Sequence, residues 1–494
     1  MSLRLGVIRG ALSLGSARLV VSVLNALGIL VLARLLAPED FGIVAIATAL
    51  VTVAASLTDA SLQPALVQNR NPDRVLVDTV WTMSAIRAAL VYGGIALAAW
   101  PLALAYGDER LFTVLLVAGL TGAFADFFNP MLTMATREMR FGPLVTFQIA
   151  QKACGLALAI ALAFAWGNFW AIIIGNAAGI MLASAASYFL VPYLPRLSLG
   201  RAREVWDFSG WMFLNQLCET VNWRFDQLAI GLNATKAQLG FYAMADNLAV
   251  IPTRELTQPL RIALFPGFAS LGDHRERLRK AYMEAQAGVA MLTAPAAIGL
   301  ALVAYPAVVV LLGEKWLVAA PIVQWLCITY AFDAFITAVR PLGMAMGQTR
   351  YLFLRQLAAL FARVPLILVG FMVGGLVGAA AGRAASSMVN AFISLLVVRK
   401  LLDVPLVEQI RVHLPTLASL GVMTACVTTV WGLTDLHGPY AQLLLLVPLG
   451  AFSYAAAHWT IWQLSGRPDG AFREVLQLAS KLPGLARLQA VARA

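Results

Sequence analysis

Runs of about twenty apolar residues with few charges follow one another along most of this chain. Each is long enough to cross a hydrocarbon core of roughly 30 Å as an α-helix. A backbone in lipid must satisfy its own polar groups, so such runs are helices rather than open strands. Composition agrees: of 494 residues, 60% are hydrophobic and 12% charged, and the mean hydropathy is +0.79. A water-soluble chain of this length needs far more polar surface.

Hydropathy marks about fourteen spans. Their limits are 11–36, 41–67, 79–106, 111–135, 144–166, 168–191, 209–232, 239–270, 284–312, 317–346, 353–373, 375–398, 413–434 and 440–464. The first run follows "MSLRLGVIRG" and is long enough to remain as a span rather than act as a cleaved leader. Connections are short except around 192–208, 271–283 and 399–412, which leaves no room for a separate catalytic or nucleotide-binding domain.

The charges orient the chain. If the N-terminus is cytoplasmic, the termini and the loops on its side carry 23 of the 36 Lys and Arg residues. The opposite side carries four, Arg34, Arg110, Lys236 and Lys315, and nine lie inside spans. This asymmetry predicts a multi-pass protein with both termini cytoplasmic. It also accounts for most of the +11 net charge without nucleic acid.

Two pairs of segments repeat. "LARLLAPEDFGIVAIATAL" from Leu32 and "LAIGLNATKAQLGFYAMADNL" from Leu228 each end a span, turn, and open the next with a bulky apolar residue and Gly, Phe41-Gly42 and Leu239-Gly240. "GNFWAIIIGNAAGIM" from Gly167 aligns without gaps to "GGLVGAAAGRAASSM" from Gly374. The offsets are 198 and 207 residues. The fold expected is therefore an all-α integral membrane protein with two six-helix lobes as parallel repeats, plus two C-terminal helices. The divisions are an N-lobe at 1–195, a cytoplasmic linker at 196–208, a C-lobe at 209–400, the last two spans at 401–466, and an amphipathic cytoplasmic tail at 467–494. An even number of spans per repeat keeps both copies in one orientation, as in transporters that rock about a midplane site.

"LARLLAPEDFG", "GNFWAIIIGNAAG", "DQLAIG" in the seventh span, and "LGFYAMADNLAVIP" leading to "LFPGFASL" in the eighth resemble the polysaccharide transporter family. These are the Wzx-like flippases of the multidrug/oligosaccharidyl-lipid/polysaccharide exporter superfamily, and the span count resembles the exopolysaccharide branch. The resemblance implies movement of an undecaprenyl-pyrophosphate-linked oligosaccharide to the periplasmic leaflet of a bacterial inner membrane. It also implies membrane lipids, a polysaccharide polymerase and export machinery as partners. One departure is Asp246, where such proteins often carry an aromatic residue.

The nine intramembrane cations are Arg18, Arg87, Lys152, Arg224, Arg254, Arg261, Arg340, Arg363 and Arg383. Exposing all of them to lipid at roughly 3 kcal/mol each would cost on the order of 25 kcal/mol, more than the roughly 5–15 kcal/mol stability of a typical fold. They must snorkel, pair, or face a wet interior. Asn247, Arg254 and Arg261 are spaced by seven on a helix interrupted by Pro252 and Pro259, which suits a bent, cavity-lining element. Arg224, Arg254 and Arg261, with Arg18, Arg87, Lys152 and Arg363, are the candidates for holding an anionic substrate. Asp226, Asp59, Asp126 and Asp333 are the candidates for ion coupling. The alternative for each is structural pairing, such as Asp333 with Arg340 seven residues on.

The four histidines and four cysteines show no metal spacing, and no nucleotide, zinc-protease or serine-hydrolase motif is present. No cofactor is expected. A multidrug or cation antiporter of the same superfamily is the runner-up, with an acid expected in its first span where this chain has Arg18. A membrane glycan polymerase would need a large extramembrane loop.

Overall fold

The computed structural model describes residues 20–58, 66, 73–137, 142–202, 210–272, 274–434, 438–467, 470 and 472–473. Among them there is no strand. The helices are α1 Val20–Leu35, α2 Pro38–Ser56, α3 Arg74–Ala105, α4 Arg110–Asp126, α5 Pro130–Arg137, α6 Gly142–Trp166, α7 Trp170–Leu190, α8 Gly210–Asn233 and α9 Lys236–Ala269. Then come α10 Arg275–Leu302, α11 Ala304–Leu311, a 3₁₀ turn Glu314–Ala319, α12 Ala320–Ala334, α13 Val339–Ala345, α14 Thr349–Leu402, α15 Leu406–Arg411, α16 Leu414–Leu433 and α17 Pro439–Leu464. Among the described residues, nine helical stretches are long and apolar enough to cross a membrane. The α8 and α9 helices fall outside that set; they carry Arg224 and Asp226 on α8 and Asp246, Arg254, Glu255 and Arg261 on α9.

Several expected spans are broken, and each break has local chemistry behind it. The fourth stops after Asp126 and restarts at Pro130. Asn129 bridges the gap: its Oδ1 accepts from the Met131 N–H (2.9 Å), and its Nδ2 donates to the carbonyls of Ser187 (3.1 Å) and Val191 (2.7 Å). In the tenth, buried Gln286 donates to the Ala334 carbonyl (2.9 Å) and accepts from the Ala338 N–H (2.8 Å). The groups freed by the break thus find partners in a region without water. The 54-residue α14 breaks at Gly374 and Gly375, the latter at φ 58°, so the eleventh and twelfth spans form a hairpin.

Packing divides the described residues into two units. The first holds those up to Met244 together with Leu311–Ala319; the second holds Ala245–Val310 and those from Ala320 on.

In the first unit, Asp40 of "PEDFG" ties two quoted segments together. Its Oδ2 accepts from the Ala37 N–H (2.9 Å), capping α2, and its Oδ1 accepts from the Phe169 N–H (2.9 Å) in "GNFW". The α6 and α7 helices turn back at Gly167, φ 62°, and pack closely where a Cβ on Gly179 would lie 2.6 Å from the Gln151 carbonyl. The first residues of the expected linker dock on α3. The Thr82 hydroxyl accepts from the Ser198 N–H (3.0 Å), and the Arg201 guanidinium meets Asp73 (3.1 Å). The starts of α2 and α9 also cross in this unit. A Cβ on Gly42 would overlap the Lys236 carbonyl, and one on Gly240 would overlap the Pro38 carbonyl.

In the second unit the α14 hairpin is closed by glycines: a Cβ on Gly378 would overlap the Gly370 carbonyl, and one on Gly382 that of Leu366. Gly374 is at the turn, with open space around it. The Tyr454 hydroxyl on α17 donates to the Met291 carbonyl on α10 (2.8 Å). Arg275 meets Asp403 (2.9 Å), and Arg279 pairs with Glu408. The expected amphipathic tail lies almost wholly outside the described residues; Phe472 packs edge-on to His458 and Trp462 of α17.

Candidate functional site

The expected site residues fall into several groups. Arg18 and Asp59 lie outside the described residues.

Arg87 and Asp126 meet. Arg87 Nη1 donates to Asp126 Oδ1 at 2.8 Å, with both side chains 19% exposed, and the guanidinium also reaches the Thr58 hydroxyl (3.3 Å) and the Ala55 carbonyl (3.2 Å). A cation expected at the substrate and an acid expected in coupling thus form one mostly buried pair joining α3 and α4. Lys152 is half-buried on α6.

On α8, Arg224 Nη1 donates to Gln227 Oε1 (3.0 Å), one turn along the same helix. Asp226 is fully buried and its Oδ2 accepts from the Tyr242 hydroxyl (2.7 Å). The two charges in "WRFDQLAIG" therefore have different neighbours, as their spacing of two residues requires.

On α9, Arg254 Nε lies 3.3 Å from Glu255 Oε1, yet its side chain remains 40% exposed. Arg261, two turns further, is half-buried. Three prolines, Pro252, Pro259 and Pro266, interrupt this helix. They remove backbone donors along the segment that carries both arginines.

The second unit holds a charged cluster that sequence reasoning saw only in pieces. Asp246 Oδ1 accepts from the Tyr330 hydroxyl (2.6 Å) and from Arg383 Nη1 (2.8 Å). Arg383 Nη2 lies 3.0 Å from the Tyr330 hydroxyl, and the guanidinium carbon sits 5.4 Å from the ring centroid. Arg383 is 1% exposed and Asp246 4%. Asp333 on α12 bonds Ser387 and lies in the field of Arg363, Arg383 and Arg355. Arg355, counted above with the loop cations, is instead a buried helix residue whose Nη1 donates to the Ser394 hydroxyl (3.2 Å).

Asp333 and Arg363, expected in different roles, are thus brought together, whereas the pairing weighed from sequence was Asp333 with Arg340. Asp246, Tyr330 and Arg383 are the members that sequence reasoning did not assemble. The signal available was Asp246 itself, an acid where the resembling family often has an aromatic. Its partner Arg383 lies 137 residues away, beyond any helical spacing.

The arrangement supplies cations of two kinds. Arg355 and Arg383 are buried and Arg87 is mostly buried, each against a named partner. Arg254, with a side chain 40% exposed, and Arg261, half-buried, lie on the helix interrupted by three prolines, and Arg224 donates to a neutral amide. Among the described residues no cluster of His, Cys, Asp or Glu has metal-ligand geometry.

Comparison with known proteins bears on this geometry. Over 331 residues, 65% of this chain and 66% of the other, the chain is 26% identical to the succinoglycan biosynthesis transport protein ExoT of Rhizobium meliloti (strain 1021). It thus spans just under two thirds of that relative. It is 22% identical over 408 residues, 81% of this chain and 82% of the other, to the lipopolysaccharide biosynthesis protein WzxC of Escherichia coli (strain K12). Its fold is that of the lipid II flippase MurJ in an inward closed conformation, with a TM-score of 0.74 at 13% identity over 91% of this chain and 99% of that one. An inward-facing multidrug resistance MATE family transporter is also similar, with a TM-score of 0.61 at 14% identity over 77% of this chain and 94% of that one. A family model described as polysaccharide biosynthesis protein matches residues 31–321. With more than half of its length so matched and an all-helical membrane-transporter fold around it, the chain belongs to the polysaccharide biosynthesis protein family.

Proposed function

We propose that this protein is a flippase for a lipid-linked oligosaccharide, moving an undecaprenyl-pyrophosphate-linked repeat unit from the cytoplasmic to the periplasmic leaflet of a bacterial inner membrane by alternating access. It acts as a transporter and not as an enzyme. The observation that carries this reading is Arg254, in the middle of α9 with a side chain 40% exposed. A guanidinium at that depth facing hydrocarbon is strongly unfavourable; facing a wet cavity, it offers a fork of donors to a diphosphate. Arg224 and Arg261 complete the set. The sugar lies along polar walls such as Asn247 and Gln258, and the lipid tail stays in the bilayer.

The lobes are residues 1–195 and 209–400, joined by the linker at 196–208, with two further spans and a cytoplasmic tail behind them. The repeat-related glycine hairpins at Gly167 and Gly375 support that division. Both termini are cytoplasmic, which the asymmetry of 23 to 4 Lys and Arg supports. Asp226 is the leading coupling acid. A polymerase and export machinery would take up the product.

The test is a deletion strain complemented by the triple variant Arg224→Ala, Arg254→Ala, Arg261→Ala. Export should stop and the lipid-linked sugar should accumulate in the cytoplasmic leaflet, while the protein inserts and accumulates normally. Full export by the triple variant would refute the assignment.

A further inference from the structure

The crossing of α2 and α9 has a symmetry that its distances reveal. With the repeat offset of 198, Pro38 corresponds to Lys236 and Gly42 to Gly240. Gly42 meets the Lys236 carbonyl, and Gly240 meets the Pro38 carbonyl. Each glycine therefore packs on the residue equivalent to the one its counterpart packs on. That reciprocity is the signature of a two-fold, self-complementary contact, here made within one chain.

The pattern extends outward. Ala33 corresponds to Gly231 at the same offset. The buried Trp316 indole donates to the Ala33 carbonyl (2.8 Å). Tyr106 lies with its ring 3.0 Å from where a Cβ of Gly231 would be, and its hydroxyl donates to the Leu228 carbonyl (3.3 Å). An aromatic residue after the third span of one repeat thus covers the end of the first helix of the other, and the reverse holds too. Two lysines finish the arrangement at helix ends, where carbonyls have no partner within the helix. Lys236 Nζ donates to the Tyr106 carbonyl (2.7 Å), and Lys315 Nζ donates to the carbonyls of Leu36 (2.7 Å) and Arg34 (3.1 Å). Arg110 pairs with Asp108 (2.9 Å) beside them. The four basic residues on the Lys/Arg-poor side therefore all have their side chain or backbone in this one contact region.

We propose that this crossing is a clasp which shuts the non-cytoplasmic end of the transporter. It requires glycine at both repeat-equivalent positions, and the two lysines fasten it. The proposal rests on the alternating-access reading. It adds a quantitative symmetry: a side chain at Gly42 and one at Gly240 meet equivalent backbone carbonyls, so they oppose closure to the same extent. A methyl at either position must separate two backbones that now touch, lowering the closed-to-open ratio by on the order of tenfold.

The test labels exposed Glu39 and Gln238 with spin labels in the full-length protein in lipid nanodiscs. Distance distributions are then recorded for the otherwise unaltered protein, Gly42→Ala, Gly240→Ala and Lys315→Met. The short-distance population should dominate without substitution and fall alike in the two alanine variants. Lys315→Met alters one exposed side chain without touching the backbone crossing, and should give a smaller fall; it decides the matter if the alanine variants do not accumulate. Unchanged distances in all variants that accumulate would overturn the clasp. So would a shift in one alanine variant without the other. The readout needs no substrate, so it is separable from the flippase reading. Export lost with unchanged distances would refute the clasp alone, and altered distances with unaltered export would uphold the clasp while counting against rocking transport.

Discussion

The buried trio of Asp246, Tyr330 and Arg383 allows its energetics to be worked through. Replacing Arg383 with Met keeps the length of the side chain and removes the guanidinium. Asp246, 4% exposed, keeps its bond from Tyr330 and loses the charged partner at 2.8 Å. An ion left buried in this way typically costs about 3–5 kcal/mol, and a hydrogen bond to a charged group accounts for about 1.5–3 kcal/mol of that. Because Arg383 is 1% exposed, solvent screening does little to reduce the loss. Arg383→Met should therefore destabilise the protein by about 3–5 kcal/mol, read as a lowered unfolding midpoint in detergent titration. Adding Asp246→Leu removes the orphaned charge and should recover most of that loss, since buried pairs are often replaceable by apolar residues together. A double-mutant cycle measures the coupling. A single variant as stable as the unaltered protein, or a double variant no better than Arg383→Met, would refute the reasoning.

Two further outcomes are expected. Asp226→Asn, which keeps the shape of a fully buried acid bonded to Tyr242, should lower transport driven by a pH gradient in proteoliposomes while leaving lipid-sugar binding intact; equal flux at every imposed gradient would remove Asp226 from coupling. Asp108 lies in the turn between α3 and α4, where partial burial pushes its carboxyl up but the bonds and charge of Arg110, with the charge of Lys236, hold it below its ordinary 3.8 overall. Its contribution is complete above pH 3.8 and is lost as the pH falls through the lowered value. Thermal stability of the unaltered protein should therefore exceed that of Arg110→Gln near neutrality and converge with it in acid, and a gap that stays constant would contradict the assignment.

The sequence alone determined the helices and many of their ends. Apolar runs of spanning length leave a backbone in lipid no alternative to the helix, and residues such as Asp40 and Gly167 mark where helices start or turn. It also carried the repeat, because Gly42 and Gly240 answer the same local demand in both copies. The breaks inside the fourth and tenth spans were hidden, since the residues that make them tolerable, Asn129 and Gln286, act through partners 58 and 52 residues away. The tertiary structure decided which charges meet. Helices such as α3 and α14 are apolar around most of their circumference, so hydropathy gives no stripe to say which face turns toward which neighbour. Arg87 and Asp126 therefore read from sequence as candidates for separate roles, and the packing places them 2.8 Å apart. Asp246 had no visible purpose until the α14 hairpin brought Arg383 within 2.8 Å. In hydrocarbon a charge must find a partner somewhere; only the packing of helices distant in sequence decides which one.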